Sequence, residues 1–362
     1  MKRIYLTVTN DLTYDQRMNR VCTSLAQAGF EITLVGRKRR TSLPVHNKAF
    51  EQHRIRCWFN KGKLFYAEYN IRLFIFLLFK KMDAVCAIDL DTILPCLFIS
   101  RIKKVTRIYD AHELFTELKE VITRPFIKKI WTRIEKYAVP KFKWGYTVSE
   151  SIAEEFNKRY GVHYKTIRNV PVLKMLDSWG TSEKFILYHG AVNEARGLEN
   201  LVAAMEWIDC KIIICGDGNF MKQLKELISE HKMGNKIILK GMLMPDELWK
   251  IARQATIGIN LVEKKGLNQY YSLSNKFFDY VHAALPQISM NYPEYRKINE
   301  EYNVALLIND FLPKTIADAI NNLLNNDVLY RQLKANCLKA RQELNWQYEE
   351  QKLLAFYNSI SG

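Results

Sequence analysis

Lys276 and Asp279, with Ser274 and Asn275 just ahead of them, form the stretch of this sequence best suited to chemistry. An apolar run at 257–261 reads as a strand, a polar and aromatic loop follows at 263–273, and Phe277, Phe278, Val281 and Ala284 then recur at helical spacing. Ser274 or Asn275 is placed to cap that helix, because a short oxygen-bearing side chain accepts from first-turn N–H groups. Strand, loop and helix in this order aim free backbone N–H groups and the positive end of a helix at an anion. Lys276 adds a cation in the first turn, and Asp279, three residues on, lies on a neighbouring face. Such a cradle suits a nucleotide diphosphate, with charge for the phosphates and a carboxylate for the ribose hydroxyls. A surface helix on which Lys276 and Asp279 merely pair would carry the same residues.

Other candidates are spread along the chain. Asn10, Asp11, Asp15 and Arg17 follow the first strand, where a doubly wound sheet takes its ligands, or where a solvated turn would lie. Asp89-Leu90-Asp91 ends a strand at 83–91; on a strand both carboxylates share a face, so they could hold a metal, line a cleft or cap a helix. His112 and Glu113 end a strand at 107–111, pointing into a cleft or serving as structural hydrogen-bonding groups. Gly216-Asp217-Gly218 opens a helix after a strand at 211–215 but lacks the third glycine of a dinucleotide fingerprint. Arg37-Lys38-Arg39-Arg40 is a solvated loop or a contact for anionic head groups. The seven cysteines show no CxxC pair and no metal spacing, as expected of reduced core residues in a cytosolic protein.

The elements that must position these residues follow a β/α alternation. A strand at 3–9, a helix at 15–28 closed by Gly29 and a strand at 31–35 make a β-α-β start without the glycine fingerprint of a dinucleotide site. The pattern restarts after Asn169-Val170-Pro171 and a polar linker at 176–184, with strands at 184–189, 211–215, 237–239, 257–261 and 287–290. The fold class expected is α/β with two doubly wound Rossmann-like domains: 1–171, basic; 172–344; and a terminal helix at 345–362 packing back on the first. No apolar run is long enough to span a bilayer, and the N-terminus runs straight into a strand pattern with no secretory signal. A helix at 66–81 is apolar nearly all round, which fits either the core or a membrane interface. The net charge of +16 is unevenly held: residues 1–170 have 32 Lys and Arg against 16 Asp and Glu, and the remaining residues have 22 of each. A basic first half suits nucleic acid, an anionic membrane surface or an acidic substrate, but no nucleic-acid signature accompanies it.

Taken together, Tyr188-His189-Gly190 with Arg196-Gly197-Leu198-Glu199, Cys215-Gly216-Asp217-Gly218, and 272–279 followed by Ala284-Leu285-Pro286 resemble the GT-B glycosyltransferases of the retaining family 4, group 1 type. Tyr109-Asp110-Ala111-His112-Glu113, Thr147-Val148-Ser149 and Arg168-Asn169-Val170-Pro171 support the resemblance, which extends over essentially the whole chain. It implies two domains facing a cleft, a nucleotide-diphosphate sugar as donor, and no metal or other cofactor. Arg196 and Lys276 would hold the diphosphate, met also by Gly190 and the backbone of Leu273, Ser274 and Asn275. Asp279 would reach the ribose, and Gly216 and Asp217 would border the base. His112 would contact the sugar ring, with Asn10, Asp11, Arg17, Glu113 and Tyr271 on the acceptor or sugar side. Tyr271 stands where the family has the first carboxylate of a pair. The partners implied are a saccharide or lipid-linked acceptor and an anionic membrane touched by the basic domain, in a protein that is cytoplasmic or bound at the inner face, in cell-surface polysaccharide or glycolipid synthesis. A sugar epimerase of the same fold, or a catalytically degenerate basic binding protein, would share these features.

Overall fold

The computed structural model describes residues 2–13, 15–176 and 183–360; Tyr14 and the centre of the expected linker, 177–182, lie outside them. The chain forms two compact units, Met1–Asn169 with Glu349–Gly362, and Val170–Tyr348. The first contains β1 (Arg3–Thr7), β2 (Glu31–Lys38), β3 (Glu51–Arg56), β4 (Ala84–Ile88), β5 (Thr106–Ala111), β6 (Trp144–Thr147) and β7 (Lys165–Thr166) in the order β3-β2-β1-β4-β5-β6-β7. The second contains β8 (Phe185–His189), β9 (Lys211–Cys215), β10 (Ile237–Gly241), β11 (Ile257–Asn260), β12 (Gln287–Met290) and β13 (Ala305–Ile308) in the order β10-β9-β8-β11-β12-β13. The strand pairings are parallel throughout, as in β1 with β2 and β4, and β8 with β9 and β11. Parallel sheets are covered on both faces, which is why the central strands read as unbroken apolar runs. In each sheet the chain winds outward one way and then returns to the other side of its first strand. The crevices of such folds open at these reversals, β1/β4 and β8/β11, beyond the carboxyl ends of the strands.

Four elements depart from the sequence expectation. β3 was not anticipated, because on this sheet edge only Ile55 is buried and no apolar run marks the strand; β13 was not anticipated either, although the apolar run at 304–308 marks it. The apolar helix spans Gly62–Leu78 and divides its surface: Phe65, Tyr69, Leu73 and Leu77 are buried, while Ile71 is 61% and Ile75 50% exposed. It is therefore core on one face only. The strand expected through Asp91 ends at Ile88, and residues Leu90–Thr92 form a short 3₁₀ turn, so Asp89 and Asp91 do not share a strand face.

The terminal helix, Trp346–Ser359, carries the chain back into the first unit. Tyr357 is 1% exposed there, edge-on to Tyr146 and Phe30. Glu349 is 2% exposed; its carboxylate accepts from the Arg168 backbone N–H at 2.9 Å and pairs with Lys352 at 2.8 Å. Removing the acceptor strands a buried N–H, which costs on the order of 1–3 kcal/mol. Glu349→Ala is expected to lower the unfolding free energy by that amount in urea titration, with Glu349→Gln losing less.

Candidate functional site

In the second unit the sequence builds a polar cluster at the β8/β11 reversal. β8 ends in His189 and turns through Gly190, while β9 ends in Cys215 and turns through Gly216. Gly216 holds φ +147°, and a Cβ there would lie 1.8 Å from the Gly190 carbonyl oxygen. Only glycine lets the two turns lie against each other, which leaves backbone rather than side chain at the mouth. Arg196 sits between two left-handed residues, Ala195 at φ 64° and Gly197 at φ 65°. The Ala195 carbonyl accepts from Glu263 N–H at 3.1 Å, tying this turn to the loop that precedes Lys276.

The helix Asn275–His282 starts at Ser274, as expected of the cap, but Ser274 makes no side-chain cap bond. Its hydroxyl donates instead to Asn260 Oδ1 at 2.7 Å, Asn260 donates to Ser289 Oγ at 2.9 Å, and Ser274 N–H donates to Tyr295 Oη at 3.0 Å. This chain of buried polar groups pins the helix start to the ends of β11 and β12. Lys276 is only 8% exposed, its Nζ has no hydrogen-bond partner, and it lies 4.0 Å from the centre of the Tyr188 ring. Burial, and then the charge of Arg196, push its pKa well below the usual lysine range, with Asp279 opposing them. Asp279 Oδ2 stands 3.7 Å from His189 Nε2. Burial, and next Lys276, push His189 down to about 3, so it is neutral. A buried lysine amine without a hydrogen-bond partner, beside a second cation and at a helix N-terminus, is an arrangement suited to an anion.

The sequence reading therefore placed Arg196, Lys276, Asp279, Ser274, Asn275 and Gly190 in one neighbourhood of the fold. Gly216 shapes it, and Asp217 is exposed at its edge, bonding Gly218 N–H at 2.8 Å. Leu273 packs on the core, and Tyr271 ends the short helix Leu267–Tyr271 with its ring against Tyr270. His189, Tyr188, Asn260 and Tyr295 were not singled out as site residues. A histidine closing an apolar strand was the one visible signal among them.

The first unit carries a second cluster at β1/β4 and the adjoining end of β5. Arg17, 5% exposed, pairs with the fully buried Asp110 at 3.1 Å. His112 Nε2 lies 2.8 Å from Arg17 Nε, which donates to it, and 3.0 Å from Asp110 Oδ2. It serves one of them at a time: neutral, it accepts from Arg17; protonated, it donates to Asp110. Burial opposes the charged form, but Asp110 and then Asp89 outweigh it and raise the His112 pKa. Asp110 is held below the usual carboxylate range, its burial outweighed by the Arg17 and His112 charges. Asp89 adopts φ 57°, ψ 176°, a conformation ordinarily left to glycine and costing about 1–3 kcal/mol. Two bonds hold it there: Asp89 N–H to Asp110 O at 2.9 Å, and His112 N–H to Asp89 Oδ1 at 2.8 Å. Burial, together with Glu113, Asp91 and Asp110, raises the Asp89 pKa against the pull of His112. Asp91, bonded to Thr9 across the β1/β4 reversal, is pushed by burial up to about 6. Asp11 is engaged by Arg54 at 3.3 Å and Thr13 at 2.9 Å, and Asn10 by Asp15 at 3.3 Å. Arg17 thus meets the cluster from beneath, through Asp110 and His112.

Two family models match the sequence: Glycosyl transferases group 1 over residues 177–340, and Glycosyltransferase Family 4 over residues 16–171. Among curated proteins the sequence finds no match. Solved structures match over almost the full length. Sucrose-phosphate synthase from Thermosynechococcus elongatus has a TM-score of 0.81 at 16% identity, covering 99% of each chain. Anabaena HepE in complex with UDP-glucose has a TM-score of 0.74 at 11% identity, over 99% of this chain and 100% of that one. The lipopolysaccharide outer core galactosyltransferase WaaB, in its apo form, has 0.69 at 12%, over 99% of each. At these identities the likeness establishes the fold.

The depressed lysine gives the anion site a proton signature. A bound diphosphate favours the charged ammonium and so raises the Lys276 pKa, drawing a proton from solvent. Pyrophosphate titrations in buffers of different ionisation enthalpy are expected to show proton uptake at mildly alkaline pH. Lys276→Met should abolish that uptake while leaving pyrophosphate's own protonation unchanged.

Proposed function

Because the chain belongs to the GT-B glycosyltransferases of the group 1, family 4-like type, we propose that it transfers a hexosyl group from a nucleotide-diphosphate sugar to a saccharide or lipid-linked acceptor, with retention and without a metal. The observation that carries the donor half is the buried Lys276 amine, without a hydrogen-bond partner, beside Arg196 at the start of a helix. The UDP-glucose bound by the structurally similar HepE supports the same donor class.

The chemistry follows from the leaving group. As the anomeric C–O bond breaks, negative charge gathers on the diphosphate. Arg196, Lys276 and the positive end of the Asn275–His282 helix meet it, and such fixed groups stabilise charge far better than solvent does. These two cations supply the neutralisation that a divalent ion provides elsewhere. Asp279 takes the ribose hydroxyls, and Gly216 and Asp217 border the base. Retention arises on one face of the sugar: the departing phosphate oxygen receives the acceptor proton as the acceptor oxygen bonds to the anomeric carbon. His112, on its Asp110 and Asp89 supports, receives the sugar ring, and Tyr271, in place of a carboxylate, shapes the choice of sugar. The excess positive charge of residues 1–170 suits an acceptor presented at the inner face of an anionic membrane, in polysaccharide or glycolipid assembly. No helix among the described residues is long and apolar enough to cross a membrane.

A thermal-shift panel of nucleotides and nucleotide-sugars identifies the donor, because a ligand of the folded state raises its melting temperature. With that donor, Lys276→Ala and Arg196→Ala are each expected to lower kcat by at least ~10². Asp279→Ala is expected to act mainly on donor KM. Wild-type turnover by Lys276→Ala would refute the site.

A further inference from the structure

The exposed half of the apolar helix has no role in the site described above. Leu64, Ile71 and Ile75 line its outer face, while its core contacts are made by the opposite stripe. The neighbouring helix Ile93–Lys103 exposes Phe98 at 41% and Ile102 at 58%, and Pro125–Ala138 exposes Phe126 at 69%. Among the three helices lies a cavity of about 320 Å³, at the lower end of ligand-sized cavities. Its walls are mainly apolar, with Ala67, Leu94, Ile127, Ile130, Trp131 and Ile134 among them. Its polar lining is of two kinds. Asp91 and Asn70 come from the β1/β4 side, with Asn70 Nδ2 donating to Asp91 O at 2.9 Å. Lys63 and Arg124, both exposed, come from the starts of two helices.

The outer face of the Pro125–Ala138 helix is basic. Lys129, Arg133 and Lys136 are exposed on the Pro125–Ala138 helix. The one acid of that helix, Glu135, is 1% exposed and faces inward, accepting from Thr116 at 2.9 Å and Tyr160 at 2.7 Å. An apolar slot rimmed by cations complements an amphiphile with a hydrocarbon chain and a phosphate.

We propose that this cavity binds the hydrocarbon chain of a phosphate-bearing lipid acceptor, with Lys63 and Arg124 meeting the phosphate and Asp91 facing the hydroxyl-bearing end. The inference rests on the transferase reading and specifies its acceptor. Asp91 belongs to the same strand-end cluster as Asp89 and His112, so a chain seated here brings the lipid's polar head to those residues. The exposed apolar stripes then continue the cavity outward as a surface from which a membrane-held lipid can enter.

The test uses the full-length protein and hexadecyl phosphate bearing a photoreactive diazirine on its chain, with adducts located by mass spectrometry. Adducts are expected within 90–94 and 124–134. Ala67→Trp, which fills the cavity, and Ile130→Lys, which charges its wall, should each cut labelling at least ~10-fold, and Lys63→Glu with Arg124→Glu should do the same through the phosphate. All variants should keep the wild-type melting temperature and its rise with nucleotide. Adducts scattered outside the cavity, or unchanged in folded Ala67→Trp, would overturn the proposal. So would co-sedimentation with phosphatidylglycerol vesicles without cavity labelling, since only the outer face would then touch lipid. Cavity labelling in a protein that binds no nucleotide would leave the lipid site standing and defeat the transferase reading instead.

Discussion

The hydroxyl of Tyr280 reaches the carbonyl oxygens of both Leu187, at 3.1 Å, and Ile259, at 3.2 Å, and so clasps β8 and β11 where the second sheet reverses. Gly258 makes room for it: a Cβ there would stand 2.6 Å from the ring. Because Tyr280 lies on the helix that begins at Ser274, the clasp fixes that helix against the crevice. It is fixed again at its start through Ser274, Asn260 and Ser289. Lys276 is therefore held in place by its helix rather than by a partner for its charge. A buried charge without a counter-ion is costly, and the depressed pKa of Lys276 is how that cost appears.

The first unit solves the converse problem. There the charges at the strand ends are abundant and mutually satisfied: Arg17, Asp110, His112 and Asp89 form a closed set with the backbone of residues 89 and 112. The strained Asp89 backbone is the cost of turning a carboxylate back onto the residue two positions beyond Asp110. One cluster holds a buried lysine without a hydrogen-bond partner, and in the other the charges raise the pKa of an imidazole.

Much of this was legible in the chain. The apolar runs of β1, β4, β8, β9 and β11 announce a parallel sheet because both of its faces are buried, and the helix start at Ser274 follows from residue type and spacing, although its side chain bonds Asn260 and caps nothing. Lys276 and Asp279 could be named, but their state could not. Whether the ammonium is solvated or buried depends on Tyr188 and Gly190, which come from a different strand and turn. β3 escaped notice because an edge strand needs little apolar surface. The Asp89-Leu90-Asp91 run misled because its first residue leaves the strand through a backbone conformation that sequence rarely signals in an aspartate. The shared partner of Arg17 and Asp110 at His112 is likewise a product of topology, since the helix Gln16–Gln27 that carries Arg17 and the end of β5 are distant in the chain.

The basic charge of the first half shows how composition and structure divide the work. A surplus of cations alone fits several partners, because charge attracts any anion. The Gly62–Leu78, Ile93–Lys103 and Pro125–Ala138 helices narrow the choice by placing exposed apolar residues among the cations and by turning the one acid of the last helix inward. Nucleic acid offers no reason to keep Ile71, Ile75 and Phe126 in contact with water; it would favour polar groups at those positions. The proposed lipid would account for both the charge and the apolar surface, since the outer stripe of a helix whose other stripe already serves the core contributes nothing to packing.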